Sequence, residues 1–278
     1  MRRLVVTADD VGLAAGMTDG ALRAHDDGIV TACSVAANGR ALDAAVPALA
    51  ARPDLAVGVH WVLTGERPLS PAREIPSLVD AKGDFLPDFR AFAWRAARGG
   101  VRADEVELEL RRQTEALRER GLALAHANSH QHLHLLPSVL PIAVALAGEF
   151  GIPALRVVRE PAPGWSVPRG LEMRVLNRLG ARARRALPAS LRTSSETIGI
   201  RHAGHLDGRR LEQVLRSASP RAPTIELVCH PGVDAVALGA SYRWAYDWDA
   251  ETAALAGPAA RALVAQLGYE LSPRLGGI

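Results

Sequence analysis

Short apolar runs alternate with longer amphipathic segments along all 278 residues, and that alternation restricts the chain to a small set of α/β folds. Leu4–Ala8, Ile29–Val35, Leu55–Val62, Leu122–Ala127, Leu155–Val158, Ile225–Cys229 and Tyr269–Leu271 read as buried strands. Ala21–Ala24 with its polar neighbours, Leu42–Ala51, Ala103–Arg120, Pro137–Phe150 and Glu251–Leu267 read as helices. The pattern is clearest in Ala103–Arg120, where Val106, Leu110, Thr114 and Leu117 share one face. Pro137 suits a first helical turn. Strands that alternate with helices pair in parallel through right-handed crossovers. The total suits a single (β/α) barrel or a variant of one, with a doubly wound open sheet as the alternative.

Composition narrows the function classes. Hydrophobic residues make up 48% of the chain, enough for the core of one large domain. No uncharged apolar run reaches the roughly 18 residues of a membrane span. The apolar part of the first ten residues is too short for a signal peptide and ends at Asp9-Asp10, so the expected compartment is the cytoplasm. Cys33 and Cys229 lie too far apart in sequence to suggest a disulfide framework or a cysteine-based zinc site, and Cys33 reads as a small core residue. Lys82 is the one lysine, in the turn-like segment Asp80–Asp84, and no GxxxxGK motif occurs. A P-loop nucleotide site and a Schiff-base lysine are thereby disfavoured.

The ionisable residues fall at telling positions. Three of nine histidines, His130, His132 and His134, lie in Asn128–His134, directly after a predicted strand. Asp9 and Asp10 follow Leu4–Ala8, His60 lies near the end of Leu55–Val62, and His230 follows Ile225–Cys229. Alone, each has a plain reading: a helix cap for the aspartates, a core histidine for His60, a turn residue for His230 before Pro231-Gly232. Together they stand at the carboxyl ends of parallel strands, which converge on one face of a barrel. A carboxylate and two imidazoles form a three-ligand metal set with positions left open. The residues allow one of Asp9 and Asp10, with His60 and one or two of the cluster. Neighbours at a strand end point in different directions, so one aspartate can ligate while the other acts as general base. His25, His126, His202 and His205 lack such placement and read as structural or surface residues.

One segment departs from the rest. Seven arginines between Val167 and Arg192 face a single acid, Glu172, so this stretch carries net +6 in a chain of net +3. Leu171, Met173, Val175, Leu176 and Leu179 give it a partly apolar helical face. Three readings apply: a solvated insertion, a basic amphipathic helix that touches anionic lipid or a substrate headgroup, or a nucleic-acid patch, which the lack of interleaved aromatics disfavours.

Several motifs resemble the YdjC-like carbohydrate deacetylases. Thr7–Leu13 resembles that family's A-D-D-F-G opening, with Val11 where phenylalanine is usual. His25–Ala32 is similar to its A-H-x-x-G-I-V-T segment, Gly58–Thr64 to its G-x-H-x-x-L-T, and Cys229–Gly232 to its C-H-P. Asn128–His134 resembles D-S-H-x-H-x-H, with Asn128 at the aspartate. The resemblance covers nearly the whole chain. Val158–Pro161, Arg192–Ser194 and Gly199–Gly204 are similar to the subgroup associated with hopanoid biosynthesis, HpnK.

The resemblance implies a distorted (β/α) barrel of about seven parallel strands, related to NodB-type deacetylases. It implies one domain over residues 1–278, with a basic insertion at about 160–205. It implies one divalent metal ion, zinc or magnesium first and manganese or nickel as alternatives, held by Asp10, His60 and His130. Asp9 is then the general base and His230 the acid, with His134 the other residue considered for the acid. His132, His134, Asn128, Trp61 and Arg159 are expected to contact substrate or support the ligands. The implied reaction removes the N-acetyl group of an N-acetylglucosaminyl hopanoid, or, in the other subgroup, of a chitooligosaccharide. Partner expectations are an N-acetylated sugar or glycolipid, peripheral contact with the inner membrane face through 167–192, and a homodimer. A metal-dependent phosphoesterase and a non-catalytic sugar- or lipid-binding protein are the rivals.

Overall fold

The computed structural model describes residues 2–161 and 170–275. Seven parallel strands form one sheet: β1 (Arg2–Val11), β2 (Ala32–Val35), β3 (Ala56–Trp61), β4 (Leu124–Ser129), β5 (Glu196–Ile198), β6 (Thr224–Cys229) and β7 (Tyr269–Leu271). The order is β4-β3-β2-β1-β6-β5, and β7 pairs with the first residues of β1. The crossovers are α1 (Ala15–Asp26), α2 (Leu42–Ala50), α3 (Phe89–Ala97), α4 (Ala103–Glu119), α5 (Leu140–Glu149), α6 (Gly170–Ala186), α7 (Gly208–Ser217), α8 (Ala235–Ser241), α9 (Trp248–Leu255) and α10 (Pro258–Gln266). No described helix is long and apolar enough to cross a membrane.

The sheet curls until its two edges are bridged by backbone. Arg156 N donates to Ala127 O of β4, and Leu155 N donates to Arg192 O. Thr197 N of β5 donates to Arg159 O. The expected strand Leu155–Val158 is therefore present as isolated bridges rather than regular pairing. Pro153 begins this stretch without an N–H to give. The structure is the curled parallel barrel that the alternation implies, not the open doubly wound sheet.

Three further differences have local causes. The expected helix Glu251–Leu267 is two helices, because Gly257 takes φ 94° and Pro258 opens α10. The helix expected from Pro137 begins at Leu140, with Pro141 in its first turn, since a 3₁₀ turn occupies His130–Leu135. Strand β5 lies inside the expected insertion and belongs to the sheet. Its three residues were too few to give a period. Residues 167–169 of the basic segment lie outside the described residues.

Alternation along the strands layers the barrel interior. Val5, Ala32, Ala154 and Leu275 form an apolar plug at the amino-terminal end, with Ala56 against it. Polar residues lie above it: Thr7, Ser34, His126, Arg156 and Glu226 are all buried. Gly58 sits among them because a Cβ there would run into the His126 ring. Gly58→Ala is expected to lower the unfolding free energy by about 1–3 kcal/mol through overpacking, measured by urea denaturation.

Candidate functional site

Adjacent strand residues normally face opposite sides, yet Asp9 and Asp10 both serve the barrel mouth. The pairing of β1 with β2 shifts register between Ala8 and Val11, and Asp10 takes φ 67°. This bulge re-aims the Asp10 carboxylate. A left-handed aspartate is tolerated but uncommon, and such outliers persist where surrounding contacts fix them. Gln131 and His132 are also left-handed, at φ 53° and 56°, and the tight coil sends His130, His132 and His134 in different directions.

Asp10, His60 and His130 converge. Asp10 Oδ1 lies 3.1 Å from His60 Nε2 and 3.0 Å from His130 Nδ1, and the two ring nitrogens are 3.5 Å apart. His60 Nδ1 lies 2.6 Å from Asn128 Oδ1, an acceptor, so that nitrogen carries the proton and Nε2 turns its lone pair toward the carboxylate. Two acceptors facing each other at that distance require a proton or a cation between them. Ligands around one tetrahedral ion at about 2.0–2.1 Å stand roughly 3.4 Å apart, close to the observed separations. The donor set, one carboxylate and two imidazoles, suits zinc and its first-row neighbours. It is the one such cluster of three among the described residues.

Asp9 has different neighbours. Its Oδ1 accepts from Ser34 Oγ at 2.7 Å, Arg156 Nη2 at 2.9 Å and Asn128 Nδ2 at 3.1 Å, and Arg156 Nη1 donates to Oδ2. Arg156 is fully buried and also donates to Glu226 Oε1, which receives the Thr7 hydroxyl. Burial alone would raise the Asp9 pKa. The Arg156 charge outweighs it, aided by His60, and holds the carboxyl well below the usual range. For Asp10 burial is likewise outweighed, here by the charge and hydrogen bond of His130 and the contact with His60. Burial presses His60 down, but its bond to Asp10 and the Asp9 charge lift it above the ordinary value.

His230 stands after β6 with its ring 5.4 Å from that of Tyr246. Its Nδ1 has no hydrogen-bond partner and lies 4.0 Å from Glu251 Oε1. Glu251 is fully buried on α9, accepts His230 N–H at 2.5 Å and Leu206 N–H at 3.1 Å, and burial pushes its carboxyl up to about 7. Burial and the Arg156 charge push His230 down, against Asp10 and Asp9.

A cleft of about 1030 Å³ opens over these groups. Asp9, His60, His130, His132 and His230 stand on its polar floor. Trp244 and Tyr246 form one wall, with Trp244 5.2 Å from the His130 ring. Phe89 and Ala93 of α3 and Leu171, Val175 and Leu179 of α6 supply an apolar side.

The other expected residues divide by access. Asn128 is buried and ties His60 to Asp9. His134 is buried, with Ser129 Oγ at 2.7 Å from Nδ1 and Arg156 O at 2.9 Å from Nε2, so its contacts are those of a support under the site. Trp61 is buried and donates to Thr114 Oγ1 at 2.9 Å, which leaves its indole in the core, away from any substrate. Arg159 is exposed and outside the cleft lining. His132 lines the cleft with Nδ1 unpartnered. Sequence reasoning missed Ser34, Arg156, Glu226, Glu251, Trp244 and Tyr246. Arg156 and Glu226 had a signal, since each is a lone charge within an apolar strand-like run.

Fold and site together define a curled parallel α/β barrel with a carboxylate–imidazole centre at the carboxyl ends of its strands. Residues 3–266 match the family described as YdjC-like protein, and the chain belongs to that family. It is 32% identical over 246 residues to a carbohydrate deacetylase of Brevibacillus brevis, covering 86% of each chain. It is 29% identical over 273 residues to a chitooligosaccharide deacetylase of Serratia marcescens, covering 96% of each. A solved structure of a proposed cellobiose-phosphate cleavage protein from Enterococcus faecalis V583 shares the fold. Its TM-score is 0.77 at 23% identity, over 98% of this chain and 97% of that one.

Beneath the site, His126 has no hydrogen-bond partner, and burial with the Arg156 charge pushes its pKa down to about 3. The unfolded chain therefore binds a proton at His126 below its ordinary value of 6.5 while the folded chain does not. Stability carried by this residue falls as pH drops from 6.5 toward 3, by up to about 1.4 kcal/mol per pH unit. In His126→Leu, unfolding free energies measured across that range should show a shallower slope by that amount.

Proposed function

We propose that the chain is a metal-dependent N-deacetylase of N-acetylglucosamine-containing substrates. The observation that carries this reading is the split of the aspartate pair: Asp10 faces His60 and His130, while Asp9 is held by Arg156 within the same cleft. The names of the curated relatives support the same class. One three-ligand cluster among the described residues fits a single ion better than the two-metal centre common in phosphoesterases. A purely sugar- or lipid-binding protein has no need of an ionised carboxylate beside such a cluster.

Asp10, His60 and His130 would hold the ion. When bound, a divalent cation there supplies Lewis-acid polarisation of the acyl carbonyl and makes water easier to deprotonate. Asp9 takes a proton from the attacking water. The Arg156 charge keeps it ionised, and Arg156, Ser34 and Asn128 fix its direction. His230 gives a proton to the departing nitrogen, so amide and water become amine and acetate. Glu251, 4.0 Å from His230 Nδ1 and titrating near neutrality, keeps a proton within reach of that ring. Trp244 and Tyr246 offer flat faces to a sugar ring.

For the substrate we favour an N-acetylglucosaminyl hopanoid. Support comes from the motif resemblance and from the apolar side of the cleft, which a bare oligosaccharide would leave uncovered. The chitooligosaccharide reading rests on the relatives' names. Acetate release from both substrates, followed by mass spectrometry with and without chelator, separates them. The hopanoid conjugate should react faster, and chelator should abolish release. Asp9→Asn should retain metal and lose roughly 10²–10⁴-fold in turnover, whereas Asp10→Asn should lose the metal. The reverse pattern exchanges the two roles, and no release from either substrate overturns the reaction itself.

A further inference from the structure

Helices α3 and α6 form two lips of the cleft, and large apolar side chains stand exposed on both. Trp94 is 61% exposed, Leu171 70% and Val175 51%. Leu171 and Val175 line the opening together with Phe89 and Ala93, and Trp94 follows Ala93 along α3. A lone exposed leucine needs no explanation. Two at the opening itself, with a third on the residue after Ala93, mark a surface that meets something.

The orientation of α6 is fixed from its other side. Met173, Gly180 and Ala183 are buried, and a Cβ at Gly180 would strike the Val158 carbonyl. The Asn177 side chain bonds both backbone groups of Glu160, at 2.9 Å to N and 2.8 Å to O. The helix therefore cannot roll to bury Leu171 and Val175. At about 100° per residue, positions 171, 175, 178, 182 and 185 fall within one stripe roughly 80° wide. All five are exposed: Leu171, Val175, Arg178, Arg182 and Arg185. The stripe is apolar where it borders the cleft and cationic along the rest of its length. The helix as a whole carries five arginines against Glu172. On the opposite lip Arg98 lies 3.7 Å over the Trp94 ring, and Arg90 is exposed beside Phe89.

An apolar end joined to a basic shaft on one helix face, with an exposed tryptophan on α3 next to the lining residue Ala93, is the pattern of an interfacial helix. We infer that the mouth of the cleft docks on an anionic lipid bilayer. Trp94, Leu171 and Val175 enter the boundary between headgroups and acyl chains, and Arg178, Arg182 and Arg185 meet lipid phosphates. A folded protein partner would need acids spaced along this stripe. A bilayer supplies mobile anions and apolar depth together. The inference does not depend on the chemistry at the cleft floor, and lipid docking and acetate release can fail separately.

The test is sedimentation of the full chain with phosphatidylcholine vesicles containing phosphatidylglycerol, against phosphatidylcholine alone. Binding should require the anionic lipid and weaken as salt rises. Arg178→Glu with Arg182→Glu should reduce it roughly tenfold or more. Leu171→Ser with Val175→Ser should reduce it while circular dichroism shows a native fold. Absence of vesicle binding, or binding unchanged by the charge reversals, overturns the inference. So does a dimer in analytical ultracentrifugation that Leu171→Ser dissociates, which would make a second copy of this chain the occupant.

Discussion

Arg156 places a full positive charge inside a barrel with no water-exposed surface of its own, and the surrounding interior is organised to hold it. A buried cation is tolerated only when its donors are met by anions and acceptors. Here Asp9 and Glu226 meet them from β1 and β6, and Thr7 meets Glu226 in turn. The triad joins two adjacent strands to the irregular stretch that bridges the barrel's edges, so closure of the sheet and orientation of Asp9 depend on the same group. Removing one member of such a set leaves the others uncompensated, at a cost of about 3–5 kcal/mol.

From that anchor the cleft floor is built outward. Arg156, Ser34 and Asn128 position Asp9, Asn128 also fixes the His60 ring, and His60 faces Asp10. Each contact leaves little freedom for the next, which is the preorganisation a hydrolytic site needs. The strained backbone at Asp10, Gln131 and His132 falls in the same few residues. Across the cleft His230 is held more loosely, with an unpartnered ring nitrogen beside a buried carboxyl. A firmly held carboxylate and a looser ring fit the base and acid roles proposed for Asp9 and His230.

Much of this could be read in the sequence, because barrel strands are short apolar runs and their ends carry the polar residues. The curled barrel, and the convergence of an aspartate of the Asp9-Asp10 pair with His60 and the histidine cluster, followed from position after a strand, while the choice of Asp10 and His130 came from the resemblance to the YdjC-like family. What could not be read depended on tertiary geometry. Asp9 and Asp10 are both expected at the site, but the bulge that brings both to the mouth is not forecast by alternation. Trp61 is expected to contact substrate or support the ligands, yet alternation turns it to the core against Thr114. Arg159 sits near the motifs in sequence but leaves the cleft, while Arg156, three residues earlier, lies at its centre. Glu251 comes from a helix far along the chain, with no local pattern to mark it.

The central claim is that one divalent ion sits among Asp10, His60 and His130 while Asp9 stays bound to Arg156. Anomalous diffraction from crystals of the protein loaded with zinc tests it most directly. The account predicts a single peak within coordination distance of Asp10 Oδ1, His60 Nε2 and His130 Nδ1, with the Asp9–Arg156 pair intact. A peak bound through Asp9, a second peak in the cleft, or an ion at His132 and His230 would contradict it.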